Sequence, residues 1–341
     1  MNVLSQPTRP ASRARTKNHG PRITIGLINN MADPALKVTE RQFRGLVAEA
    51  AFDFDIAFRV FALATTRRSA RALDYIEANY EPARAVKSGG LHALIITGAQ
   101  PQADRLCNEP YWEELVELID WAKSHTASTI LSCLAAHAGV LHLDAIERRP
   151  LPQKCTGVFP FAAAASHALV GGRSRVRLSP HSRYNGLLES DLKQAGYAVL
   201  TNSPTHGVDI FTKDFGSQFV FMQGHPEYDA NSLAREYRRD MDLYLRGETE
   251  RKPARPQGYF EAEAEAELLH MERRAFAARS GAPLAQLAMI DSLAPADAAW
   301  RDAAVSFYRN WIEMIADAVG RAYAASAEME APEFASEPYV W

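Results

Sequence analysis

Three features of the chain could do chemistry together, although they lie far apart in sequence. Cys133 closes the run STILSC, and Leu-Ala-Ala-His-Ala-Gly follows it like the opening turns of a helix. A thiol on such a strand-to-helix turn gains an exposed side chain, the positive end of a helix dipole and a backbone amide just behind it. A helix N-terminus and a nearby imidazole both favour the thiolate, the reactive form. Taken alone, Cys133 reads as a core cysteine, because free cysteine is among the most buried residues. His225 and Glu227 stand two apart in GHPEYD, so in an extended segment both side chains point the same way. A carboxylate that steers an imidazole beside a nucleophile is the general arrangement for covalent acyl transfer. A zinc site fits less well, because no second histidine or cysteine stands nearby at helical ligand spacing. Finally, Gly98-Ala99 follows LIIT, and the Ala99 amide could face that of Leu134 across an oxyanion. A plain β-to-α turn would read the same way.

Other polar groups are Lys154 in QKCTGVF, Ser182 and Arg183 in PHSRYN, and Arg238-Arg239 in AREYRRD. An arginine pair on a helix is a solvated face or, more sharply, a clamp for a carboxylate. His137 and His142 read as packed or partly exposed helix residues.

The elements that must position these groups alternate. RITIGLINNM is a strand, Asp33 to Ala51 a helix with Val38, Phe43, Leu46 and Val47 at helical spacing, and DFDIAFRVFAL a second strand. SARALDYIEANY reads as a helix, GLHALIITGAQ as a short buried strand, PYWEELVELIDWAKSH as an amphipathic helix and STILSC as the next strand. This alternation predicts an α/β fold, a doubly wound and mostly parallel sheet flanked by helices. In such sheets ligands gather beyond the carboxyl ends of the strands, where Gly98-Ala99, Cys133 and His225 are all expected.

After Gly139 the pattern loosens into shorter strands with turns, a hairpin through GVDIFTKDFGSQFVFMQGHPEYD, and an arginine-rich helix over Asp229 to Leu245. These boundaries predict a basic disordered extension over 1–22 and an α/β catalytic domain over 23–248. A helical extension over 249–341 is expected to pack on that domain and end in a loose tail.

The chain has 341 residues, 47% apolar and 23% charged, with a net charge of −3. That balance offers no basic footprint for nucleic acid. No apolar run approaches the ~18 residues of a membrane span. Three cysteines suggest neither a disulfide framework nor a paired-cysteine metal site, and fit a reducing cytoplasm.

The ordered set of LIITGA, Tyr111-Trp112, the strand into Cys133, GVF, PHSRY, GHPEYD and RRD resembles the homoserine O-succinyltransferase and O-acetyltransferase family, on a class I glutamine-amidotransferase-like fold. Thr39 to Gln42 also matches its first helix. The resemblance runs from about Ile23 to Leu245 and more faintly to Asn310-Trp311. It implies a Cys133 nucleophile, a His225 base with Glu227 as its partner, and Lys154, Ser182 and Arg239 holding the amino acid. It further implies ping-pong transfer from an acyl-CoA co-substrate to homoserine in methionine biosynthesis, no bound cofactor or metal, and a cytoplasmic homodimer. The chain departs from the family at Leu134, where an aromatic is common, and at His137, where glutamine is usual. Gln102 occupies the acyl-specificity position, at which glycine accompanies succinyl and glutamate acetyl. Gln102 is neither: its bulk argues for acetyl, its amide for a succinyl carboxylate. Succinyl is the first expectation and acetyl the second. Two other classes remain, a cysteine hydrolase or amidotransferase on the same scaffold and a non-catalytic binding protein, as does a related acceptor such as serine.

Overall fold

β-Branched and aliphatic residues alternate along the first strand so that Ile23, Ile25 and Leu27 face one side, while Ile28 joins the other. The same alternation recurs in its neighbours, and the sheet is covered on both faces. The computed structural model describes residues 22–171, 175–277 and 287–330. All of the basic segment over 1–22 except Arg22, and the last eleven residues of the tail, lie outside the described residues.

The first half is β1 (Ile23–Ile28), α1 (Leu36–Ala50), β2 (Ile56–Ala62), α2 (Ala70–Asn79), β3 (Glu81–Pro82), β4 (Ala93–Ile96), α3 (Trp112–His125), β5 (Ser128–Ser132) and α4 (Leu134–Asp144). The second half adds β6 (Arg149–Ala163), β7 (Val176–Gly186), α5 (Glu189–Gln194), β8 (Ala198–Val199), β9 (Thr201–Ser203), β10 (Gly207–Val208), β11 (Ile210–Asp214), β12 (Gln218–Met222) and α6 (Ser232–Leu245). The helices α7 (Ala262–Ala277) and α8 (Arg301–Glu330) complete the chain.

The main sheet has eight strands in the order β3-β2-β1-β4-β5-β12-β11-β8. It is parallel from β3 to β12, and β11 and β8 close it with antiparallel pairing. The expected α/β architecture is therefore present. One face packs Ile95, Ile130 and Val220 against α1 and the Phe307, Trp311 and Ile315 stripe of α8. The other packs Leu94, Leu131 and Phe221 against Ile119 of α3 and Ala135 and Val140 of α4. Trp311 also donates from Nε1 to Ser128 Oγ at 2.8 Å, which ties α8 to the foot of β5.

The region after Gly139 differs from the expected set of short strands. β6 spans 15 residues and pairs with the 11-residue β7 in a second, antiparallel sheet of order β10-β9-β6-β7. Pro150, Pro152 and Pro160 interrupt the apolar alternation of β6, and its register shifts between Pro150 and Cys155, so the pattern breaks although the strand does not. A third apolar cluster joins Leu233, Tyr237 and Met241 of α6 to Leu268 and Met271 of α7 and to Trp300.

Candidate active site

β4, β5 and β12 are consecutive neighbours in the sheet, with Ile96 opposite Leu131 and Met222 opposite Ser132. Their carboxyl ends therefore deliver Gly98-Ala99, Cys133 and Gly224-His225 to one place. Parallel pairing makes this possible, since strands running together also end together.

Cys133 is the cap residue of α4 and holds φ 53° and ψ −114°. For a residue with a Cβ this conformation costs on the order of 1–3 kcal/mol, and it persists only where the surroundings enforce it. Its amide donates to Met222 O at 2.7 Å, its carbonyl accepts from Ala136 N at 3.0 Å, and β5 and α4 hold the turn from both sides. Gly98 packs directly against the start of α4. A Cβ there would stand 2.8 Å from Leu134 N, so only glycine allows this approach. Neither the Leu134 amide nor the Ala99 amide has an acceptor among the described residues. Two donors without acceptors thus stand where β4 and the start of α4 approach each other, next to the Cys133 turn.

His225 is buried, and its Nδ1 lies 2.8 Å from Glu227 Oε1. That leaves Nε2 free of the carboxylate, with Cys133 among the groups that act electrostatically on the imidazole. Burial alone would lower the imidazole pKa, but the neighbouring Cys133 and Glu227 charges outweigh it and raise it well above its ordinary value. The Tyr228 ring stacks on the imidazole with centroids 4.3 Å apart, and its backbone carbonyl accepts from Trp300 Nε1 at 3.1 Å. From behind, His225 N donates to Pro180 O at 2.8 Å, and Gly224 N to buried Asp209 Oδ1 at 2.9 Å. Burial opposes the charge on Asp209, yet His181 and the hydrogen bonds from Ser179 and Gly224 keep its carboxyl below the usual range.

Lys154 and Arg239 on one hand and Ser182 on the other are each held by an acid of α6, Asp240 and Glu236. Lys154 Nζ and Arg239 Nη2 each stand 2.7 Å from the Asp240 carboxylate. Burial would raise the Asp240 pKa, but these two cations lower it below the ordinary value. Ser182 Oγ and the Tyr228 hydroxyl both donate to Glu236. Glu236 stands three residues before Arg239 on one helix, a spacing that places both on one face. Because the face is specified by helical period and its partners come from β6 and β7, no local motif announces it.

Gln102 lines a cavity of about 400 Å³ that adjoins Ala99. Its amide and that of Ala103 donate to Glu109 Oε1 at 2.7 and 2.8 Å. His137 is buried in α4 with Nε2 2.9 Å from Gln223 Oε1; burial lowers its pKa to about 4, so it stays neutral. Among the described residues, no group of three or more His, Cys, Asp or Glu could hold a metal ion. None of their helices is long and apolar enough to cross a membrane.

Residues 8–320 match the family model described as homoserine O-succinyltransferase. The chain belongs to the homoserine O-succinyltransferase family. It is 44% identical over 301 residues to the homoserine O-succinyltransferase of Methylorubrum extorquens, covering 88% of this chain and 89% of that one. It is 43% identical to the homoserine O-succinyltransferase of Bradyrhizobium japonicum, covering 92% and 97%. Among solved structures, a glutamine amidotransferase from Thermotoga maritima matches at a TM-score of 0.46 and 11% identity, covering 86% of this chain and 98% of that one. Family membership makes the protein an acyltransferase, and the binding-protein alternative falls away.

Proposed function

We propose that the protein transfers a succinyl group from succinyl-CoA to the hydroxyl of L-homoserine through a thioester on Cys133, an acylation step of methionine biosynthesis. The arrangement that carries this reading is the thiol on its strained turn, within electrostatic reach of an imidazole that Glu227 orients and next to two unengaged amides.

The chemistry follows from those groups. The Cys133 thiol gives its proton to His225, and Glu227 stabilises the resulting imidazolium. The thiolate attacks the thioester carbonyl, and the developing oxyanion accepts hydrogen bonds from the Ala99 and Leu134 amides. The intermediate collapses as CoA leaves with the proton from His225. Homoserine then loses its hydroxyl proton to His225, its oxygen attacks the acyl-cysteine, and a second collapse restores Cys133. Lys154 and Arg239 suit the acceptor's carboxylate, while Glu236 suits its ammonium group. An acceptor held at both ends presents its hydroxyl rather than leaving the site to water. The homodimer implied by the family belongs to the same reading, and light scattering tests it.

Cys133→Ala is expected to abolish CoA release from succinyl-CoA with L-homoserine. Wild-type protein given succinyl-CoA without acceptor should gain the mass of one succinyl group on the peptide containing Cys133. Full activity in the alanine variant would end the thioester reading. Glutaminase activity in place of acyl transfer would move the protein to amide chemistry.

A further inference from the structure

Tyr228 directly follows the His225–Glu227 pair in GHPEYD but exchanges no proton in the acyl transfer. Its buried ring lies on the His225 imidazole, with centroids 4.3 Å apart and planes 17° from parallel. The Glu227 contact holds the imidazole at one atom, Nδ1, and a ring held at one atom can still pivot about it. A second ring laid against its face removes that freedom. The tyrosine face also attracts the cation that forms when His225 takes a proton. The backbone of Tyr228 is fixed on both sides. Its amide donates to His225 O at 3.1 Å, and its carbonyl accepts from Nε1 of the buried Trp300 at 3.1 Å.

The far end of the same side chain reaches a different element, α6. The Tyr228 hydroxyl donates to Glu236 Oε1, while Ser182 Oγ donates to Glu236 Oε2. Burial and the Glu236 charge push the phenol well above its ordinary pKa, so it remains a donor across the neutral range. Glu236 is half-buried, and Lys154 and Arg239 pair with Asp240 rather than with it. Each oxygen of a carboxylate accepts about two hydrogen bonds, so both keep room for a further donor. An ammonium group supplies the donors and the missing positive charge together. The carboxylate thus stands one tyrosine side chain away from the imidazole.

We propose that Tyr228 is the positioning residue that couples the two half-reactions: its ring fixes the plane of the His225 imidazole, and its hydroxyl aims the Glu236 carboxylate at the ammonium group of the acceptor. This rests on the acyl-transfer reading above.

The test follows CoA release by wild type, Tyr228→Phe, Tyr228→Leu and Tyr228→Met while succinyl-CoA and L-homoserine are varied in turn. In a ping-pong reaction kcat/KM for each substrate reports its own half-reaction, so the two ends of the side chain are read separately. Tyr228→Phe keeps the ring and loses a hydrogen bond to a charged group. It should lower kcat/KM for L-homoserine about 10–150-fold and leave kcat/KM for succinyl-CoA unchanged. The leucine and methionine variants lose the ring as well, and should also lower kcat/KM for succinyl-CoA, about 2–12-fold. Whichever of these two melts like wild type carries that comparison. Equal losses on both substrates in Tyr228→Phe would overturn the assignment, because a merely structural tyrosine moves the two half-reactions together. An unaltered kcat/KM for L-homoserine in that variant would overturn it too. A folded ringless variant with the wild-type value for succinyl-CoA would remove the part given to the ring. Failure of wild type to release CoA from succinyl-CoA with L-homoserine would instead overturn the acyl-transfer reading, and the role of Tyr228 with it.

Discussion

Gly98→Ala offers a direct test of the two-amide arrangement. The added Cβ would lie 2.8 Å from Leu134 N and 2.9 Å from Leu134 Cβ. Optimal heavy-atom contacts run about 3.5–4.0 Å, so the strand end and the start of α4 must part by roughly 0.7 Å. Leu134 cannot yield by changing rotamer, because the contacted atoms are its backbone nitrogen and Cβ. The displaced amide is the one that the proposed mechanism assigns to the developing oxyanion. Loss of one such donor costs about 2.7–4 kcal/mol, or roughly 10²–10³ in kcat. The ground-state carbonyl uses this donor much less than the oxyanion does, so KM for the acyl donor should change little. The assay is a single-turnover acylation of Cys133 by succinyl-CoA, followed by CoA release, with a thermal melt to verify that the variant is folded. A folded variant that acylates at the wild-type rate would show that the Leu134 amide plays no part in the chemistry.

Glu227→Gln should remove a charge-assisted hydrogen bond from His225 and lower kcat/KM about 10–150-fold. The imidazole pKa is raised in part by Glu227, so removing that charge brings it down. The imidazolium is then lost at lower pH, and the alkaline limb of the kcat/KM profile should move acidward; an unmoved limb would refute the pairing. Trp311→Phe should act on stability alone, since Trp311 is fully buried on the face of the sheet served by α8 and donates to Ser128 Oγ. The lost ring volume and hydrogen bond together are worth roughly 2–3 kcal/mol, about 3–4 °C in melting temperature for a chain of this length. Calorimetry showing no shift would mean that α8 does not contribute to holding β5.

Apolar period and turn chemistry made the first half of the fold legible. Ile95, Ile130 and Val220 alternate with residues of the other face, which is a local pattern, and Gly98, Cys133 and His225 each follow such a strand. The second sheet was not legible as one, because prolines break the alternation of β6 while pairing with β7 sustains the strand. Lys154, Ser182 and Arg239 were singled out by resemblance rather than by pattern, Asp240 only as the last residue of RRD, and Glu236 by neither. Their meeting depends on α6 packing beside β6 and β7, a contact between segments some 55–85 residues apart in the chain.

By itself the sequence determined the alternation of strand and helix, the candidate reactive groups that it offers, and the strand end that each of those groups follows. These are consequences of residue type and of period along the backbone. Tertiary structure decided that β4, β5 and β12 are neighbours, that Cys133 takes a positive φ, and that the Leu134 amide is left free opposite Ala99. Strand order, a strained turn and an unpaired donor are set by long-range packing, and no short window of residues encodes them.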